Sequence, residues 1–231
     1  MKETLTIDFN RPVALFPLPN CVLLPHATIP LHIFEPRYKK MTSDALDSHG
    51  LIAMAFFEGD QWRENYDGSP PIRPSVCVGY IIHHQPLEDG RYNFLLQGVC
   101  RARIKEEIPS QPYRKALLEP TEFPQPKEAD LRECRCRIEA LLNDPILAEL
   151  EAVATAKKWL ENKVPTSALV DLSFMVLSES IEERYSILAE KSAPARAMCL
   201  EKLLQDRRSA LSVSRRRGSG WGRLPGGRLP D

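Results

Sequence analysis

Leu15-Phe16-Pro17-Leu18-Pro19-Asn20-Cys21-Val22-Leu23-Leu24-Pro25, followed shortly by Ile29-Pro30-Leu31-His32-Ile33-Phe34-Glu35-Pro36-Arg37-Tyr38, is the stretch that decides how this chain folds. Val13 to Phe16 reads as a short apolar strand stopped by Pro17 and Pro19, and Ile29 to Phe34 as a second one. At Glu35-Pro36-Arg37-Tyr38 the pattern turns helical. Pro36 sits in the first turn, where its missing N–H costs nothing, and Glu35 stands at the positive end of the helix dipole. Tyr38, Met41 and Ala45, with Leu46, form the inward stripe, and Gly50 ends the segment. Glu35 follows two large apolar residues, so partial burial would require a partner such as Arg37 or the helix's free N–H groups. Its structural reading is a cap fixing a strand-to-helix corner; its functional reading is a direct ligand contact.

Outward from this stretch, residues up to about 120 read as short strands. Leu51 to Phe57 looks buried on both faces, and Val76 to Ile82 leads to Asp89-Gly90, which reads as a type I′ hairpin turn. Tyr92, Phe94 and Leu96 alternate with Arg91, Asn93 and Leu95. Arg101 to Ile108 and Tyr113 to Leu118 complete a pattern that favours a small barrel or sandwich. Past Pro120 the period changes. Phe123-Pro124-Gln125-Pro126 reads as a linker. Helical segments follow: one marked by Leu131, Cys134, Ile138, Leu141 and Leu142 and closed by Pro145, then a second from Leu147 to Leu160. A third runs from Thr166 to Leu177 and is apolar nearly all round. A fourth opens on the capping box Ser180-Ile181-Glu182-Glu183, with Ile187 and Leu188 inward. The last, after Ser192 and Pro194, carries Met198, Leu200, Leu203 and Leu204. Short connections imply an antiparallel bundle. Ser212 to Asp231 is rich in Arg, Gly, Ser and Pro and has too little apolar surface to fold by itself.

Thirty-one basic residues balance 31 acidic ones, so no net field steers the chain toward nucleic acid or an anionic membrane. No apolar run approaches a membrane span, and Met1-Lys2-Glu3-Thr4-Leu5 lacks the features of a signal peptide, which implies a cytoplasmic location. Cys21, Cys77, Cys100, Cys134, Cys136 and Cys199 follow no framework spacing and read as reduced, mostly buried thiols.

Catalytic motifs are missing: no phosphate-cradling G-x-x-x-x-G-K-[ST], no G-x-S-x-G, no H-E-x-x-H. His83-His84 on a strand would point to opposite faces, and Cys134-x-Cys136 on a helix diverges by about 200°, so neither pair favours a metal. The sequence therefore nominates no catalytic, metal or cofactor residues. Arg101-x-Arg103-x-Lys105 places three cations on one strand face. With Glu106 and Glu107 adjoining, it reads as a solvated face rather than a nucleic-acid stripe.

The quoted stretch, together with Val78-Gly79-Tyr80-Ile81 and Asp89-Gly90-Arg91-Tyr92-Asn93-Phe94-Leu95-Leu96-Gln97-Gly98-Val99-Cys100-Arg101, resembles the N-terminal, substrate-binding domain of Lon proteases, strongly over residues 11–120 and more loosely to 205. The resemblance implies an α+β fold: a PUA-like β pseudo-barrel over 1–122, an α-helical bundle over 123–209, and a disordered tail over 210–231. It is similar to stand-alone bacterial proteins that carry this region without the ATPase and peptidase domains. It departs from the family in His26-Ala27, where Gly usually follows the proline, and in the Arg-rich tail. What it implies functionally is a non-catalytic polypeptide-binding or adaptor module for unfolded or specific polypeptides. Its groove is expected at Phe16, Leu18, Ile33, Phe34, Glu35, Arg37 and Tyr38, although most of their apolar area could equally be core. RNA or modified-nucleotide binding through the PUA-like barrel is the alternative, disfavoured by the neutral charge.

Overall fold

The computed structural model describes residues 6–66, 68–121 and 126–218, with side chains as far as Arg215. Six strands form the first part: β1 (Val13–Leu18), β2 (Thr28–Ile33), β3 (Leu51–Phe56), β4 (Ser75–Pro86), β5 (Tyr92–Ile108) and β6 (Lys115–Pro120), with α1 (Pro36–Leu46) between β2 and β3. Their order is β2-β5-β4-β3-β1-β6, and β6 pairs again with β5. The pairing therefore closes β5, β4, β3, β1 and β6 into a ring, with β2 attached outside it. The mixed sheet together with the helices described below makes the fold α+β.

β5 makes the closure possible. One edge runs along β4, while the other pairs with β2 through Tyr92–Gln97 and then with β6 through Ala102–Ile108. The two separate strands expected around Leu96 and Arg101 are thus one strand of 17 residues. Between the two partners Gly98 meets the chain before β2, where an added Cβ would lie 2.3 Å from the Leu24 carbonyl oxygen. Only glycine fits there.

Alternation puts one set of side chains inside the ring and the other outside. Val13, Leu15, Ala53, Ala55, Val76, Val78, Ala102, Ala116 and Leu118 fill a small interior. Ile52, Met54, Phe16, Cys77 and Leu96 face the opposite way and join a larger cluster that continues into the helices. The expectation that Leu51–Phe57 is buried on both faces follows directly. Pro17 does not stop β1, which continues to Leu18 in parallel register with β3. β6 pairs only with Val13 and Ala14, so beyond them β1 is an edge on that side, where a missing N–H is tolerated.

The hairpin between β4 and β5 also differs from expectation. Leu87 accepts a bond from Gly90 N–H and donates one to Arg91 O, so the loop has three residues and only Gly90 (φ +76°) enters the left-handed region. Asp89 instead uses its carboxylate to accept the Arg91 N–H at 3.1 Å. His26 does adopt a positive φ, +68°, at the position where the resemblance implies glycine.

The helices are α2 (Glu128–Leu142), α3 (Glu151–Glu161), α4 (Thr166–Leu177), α5 (Ile181–Ala189) and α6 (Ala193–Gly218). α2 packs along α6, α3 against α4, and α5 against β4. The helix expected from Leu147 is broken at Leu150, whose ψ of 122° caps α3 after a short 3₁₀ turn. Ser180 Oγ accepts the Glu183 N–H at 3.4 Å, but the Glu183 carboxylate turns to Ser178 Oγ, so half of the expected capping box forms. Met198, one of the apolar residues that mark this helix in the sequence, is exposed; Ala197, Leu200 and Leu204 hold the inner face of α6. This helix also extends through Ser212 to Gly218, into the expected disordered tail. Leu211 packs on the core, and Arg208 and Arg215 reach Asp144 and Glu149, which supplies the contacts that composition alone did not reveal. The linker residues 122–125, with the expected boundary at 122/123, and the tail beyond Gly218 lie outside the described residues.

The barrel and the helices are fastened together by charge as well as by apolar packing. Arg101, expected on a solvated strand face with Arg103 and Lys105, is 1% exposed and forks onto Asp171 of α4 at 2.9 and 2.5 Å. Arg196 of α6, equally buried, lies 3.8 Å from the same carboxylate and donates to the Glu190 and Lys191 carbonyls. Arg103 and Lys105 do remain exposed. The correction has a simple cause: the strand face is solvated only past the point where α4 covers it.

Candidate functional site

The corner between β2 and α1 builds a strongly apolar hollow on the molecule's surface. β2 ends in Ile33, which is buried, and the chain then swings Phe34 outward before Pro36 starts the helix. Phe34 is 62% exposed, a large aromatic held in water by a rigid strand-to-helix turn. Beneath it lies a concavity of about 440 Å³ lined by Phe16, Leu18, Leu31, Ile33, Tyr38, Trp62 and their neighbours. Ring contacts stiffen its walls: Phe16 lies 4.5 Å from Tyr38, and Phe57 stacks on Trp62 and meets Tyr66 edge-on.

Of the seven residues expected in a groove, Phe16, Leu18, Ile33, Phe34, Glu35 and Tyr38 line this one concavity. Phe16, Ile33 and Tyr38 contribute mainly as floor, since each is at most 4% exposed. Arg37 lines an adjoining, more polar hollow of about 460 Å³ with Tyr38, Tyr66, Tyr113 and Arg114. Sequence reading missed Trp62 and Tyr66, which arrive from the loop between β3 and β4. The available signal was two aromatics in the otherwise polar, Gly-containing run Glu58-Gly59-Asp60-Gln61-Trp62-Arg63-Glu64-Asn65-Tyr66.

Glu35 closes one end of the concavity as part of a satisfied cluster. Its carboxylate accepts from Arg37 Nε at 3.1 Å and from the Tyr66 hydroxyl at 3.1 Å. Arg37 donates onward to the Tyr66 carbonyl and lies over the rings of Tyr38 and Tyr66, 4.6 and 4.7 Å from their centres. The expected partner is therefore present, but the Glu35 side chain does not cap α1. Burial pushes the Tyr38 hydroxyl above its ordinary value against the opposing pull of Arg37; burial, then the Glu35 charge, does the same to Tyr66. Both phenols stay neutral, and they serve here as hydrogen-bonding walls.

Along the same strand a shallower trough of about 350 Å³, lined by Pro30, Leu31, His32, His83, Gln85, Asn93, Phe94 and Leu95, meets the first hollow at Leu31 and His32. His32 Nδ1 lies 2.6 Å from Asn93 Oδ1, and His83 and His84 are both exposed on β4. Among the described residues no group of three or more His, Cys, Asp or Glu side chains is placed to hold a metal. No described helix is long and apolar enough to cross a membrane. All six cysteines are free, though only Cys77 and Cys134 are buried; Cys136 and Cys199 are exposed on the outer sides of α2 and α6, contrary to a mostly buried set.

Comparison with known proteins gives one consistent result. The family model described as the ATP-dependent protease La (LON) substrate-binding domain matches residues 12–206. Over 208 residues the chain is 23% identical to Lon protease 2 of Myxococcus xanthus, covering 90% of this chain and 25% of that one. It is 22% identical over 208 residues to the Lon protease of Anaeromyxobacter dehalogenans, covering 90% and 24%. The chain thus spans about a quarter of the length of these relatives. Among solved structures it is similar to a Lon N-terminal domain protein from Xanthomonas campestris (TM-score 0.56, 22% identity, 84% of this chain and 98% of that one). It also matches the N-terminal domain of Mycobacterium avium complex Lon protease (TM-score 0.61, 15% identity, 85% and 99%). At these identities the structural likeness establishes the fold.

Proposed function

We propose that this chain, which belongs to the family of ATP-dependent protease La (LON) substrate-binding domains, is a non-catalytic module that takes up polypeptide segments in the concavity beneath Phe34. One observation carries the reading: Phe34 stands 62% exposed at the mouth of a hollow walled by Phe16, Leu18, Leu31, Trp62 and Tyr66. Apolar surface gathered into a concavity, rather than scattered singly, marks a binding site. The lining supplies hydrocarbon and ring faces, and its one carboxylate is already engaged by Arg37 and Tyr66. Nothing in that set favours bond-making over binding.

Nucleotide binding has less to stand on. No Lys or Arg lines this concavity among the described residues, and its only full charge is the Glu35 carboxylate, which opposes a phosphate.

The test is fluorescence anisotropy with a permanently unfolded probe, reduced and carboxymethylated lactalbumin, titrated with the full chain. Saturable association is expected. Phe34→Ser should weaken it about ten- to a hundredfold, since burying a Phe contributes roughly 1.5–3 kcal/mol, while leaving thermal stability within about 2 °C. No association up to about 100 µM, a concentration corresponding to roughly −5.5 kcal/mol, would end this reading.

A further inference from the structure

The outer edge of β2 presents backbone groups that no described strand uses. β2 pairs with Tyr92–Gln97 of β5 on one side, and in the sheet order it is a terminal strand. The phase of this ladder is set just before β2, where Gly98 N–H donates to the Ala27 carbonyl at 2.8 Å. In antiparallel pairing, residues alternate between those that exchange bonds with the partner and those that do not. Ile29, Leu31 and Ile33 are therefore in step with Ala27 and face β5, while Thr28, Pro30 and His32 direct their backbone groups outward. The edge so formed offers three carbonyls and two N–H groups, because Pro30 has none. Pro30 removes no bond from the β2–β5 ladder, which explains how a proline sits in mid-strand.

Two hollows flank this edge and meet at Leu31 and His32. One is the apolar concavity below Phe34; the other is the trough with His83, Gln85 and Asn93. Successive side chains of an extended segment point to opposite faces. A strand laid along β2 would alternate between an apolar hollow and a more polar one.

We propose that an extended polypeptide segment of alternating apolar and polar residues adds as a strand to the free edge of β2, bonded to the backbone of Thr28, Pro30 and His32. Its apolar side chains enter the concavity below Phe34. This rests on the polypeptide-binding reading above and specifies how the segment is held. The chemistry favours a foreign strand over a second copy of this chain. Two β2 edges paired antiparallel about Pro30 would set proline against proline and lose both central donors, whereas a foreign strand loses one. An exposed edge beside alternating pockets is the recurring geometry of strand addition.

The test uses the full chain and a fluorescein-labelled peptide of alternating leucine and threonine with a lysine at each end. Two versions carry backbone N-methyl groups, one on the odd and the other on the even amides. Strand addition predicts that one parity weakens binding at least about tenfold, as losing the donors to three edge carbonyls requires, while the other changes it less than about twofold. Equal weakening by both parities, with unfolded lactalbumin still bound, overturns strand addition and leaves polypeptide binding standing. Failure of both the peptide and lactalbumin to bind removes the underlying reading instead. A chain dimer that the peptide disperses, seen by sedimentation, assigns the edge to a second copy and overturns the proposal.

Discussion

Replacing Asp171 with alanine tests what fastens the barrel to the helices. In the native chain the side chains of Asp171, Arg101 and Arg196 are each 1% exposed, and the fork from Arg101 onto the carboxylate measures 2.9 and 2.5 Å. Removing the carboxylate leaves Arg196 its bonds to the Glu190 and Lys191 carbonyls, but takes from Arg101 its bidentate anionic partner. Breaking a buried pair from one side costs about 3–5 kcal/mol, because the remaining charge stays out of water. For a chain of this size, that predicts a fall in Tm of roughly 6–20 °C. Urea unfolding followed by circular dichroism measures the free-energy cost, and a thermal scan the fall in Tm. Asp171→Asn keeps the volume and one acceptor and should recover only part of the loss. The double variant Arg101→Met/Asp171→Leu removes both charges and should be more stable than the sum of the singles by at least about 2 kcal/mol. Additive singles, or an Asp171→Ala cost below about 1 kcal/mol, would show that the pair does not carry this contact.

Alkylation of the native chain with iodoacetamide at pH 8, read by mass spectrometry, should label exposed Cys136 and Cys199 and spare Cys77. Burial excludes reagent from Cys77 and pushes its thiol up, so the reactive thiolate is scarce. Tyr38, Tyr66 and Tyr185 all have hydroxyls raised chiefly by burial. A raised folded value means their contribution is complete below the ordinary value of 10.0 and is lost as pH climbs through the folded values. Tm should therefore fall more steeply above pH 10 in the native chain than in a Tyr66→Phe variant, and equal slopes would refute the assignment for Tyr66.

Local sequence determined much of this protein. Pro36 after an apolar run places the helix start, the period-two and near-3.6 patterns separate strands from helices, and the stretch from Leu15 to Tyr38 with the hairpin after Gly90 is specific enough to identify the family. It also gathered Ile33, Phe34, Glu35 and Tyr38, which share one concavity because a strand end and the helix that follows it are covalently bound to stay close, whereas Phe16 and Leu18 join them from β1 through tertiary packing. What the sequence left open depends on contacts between residues far apart along the chain. Arg101 looks like a solvated cation until α4 brings Asp171, 70 positions away, against it. Ser212 to Gly218 looks unstructured until Asp144 and Glu149 meet Arg208 and Arg215. Trp62 and Tyr66 are two aromatics in a polar loop until that loop folds against the corner between β2 and α1. Periodicity reports how a segment presents itself to its surroundings, whereas burial, pairing and the far wall of a groove are decided by whichever distant segment arrives there.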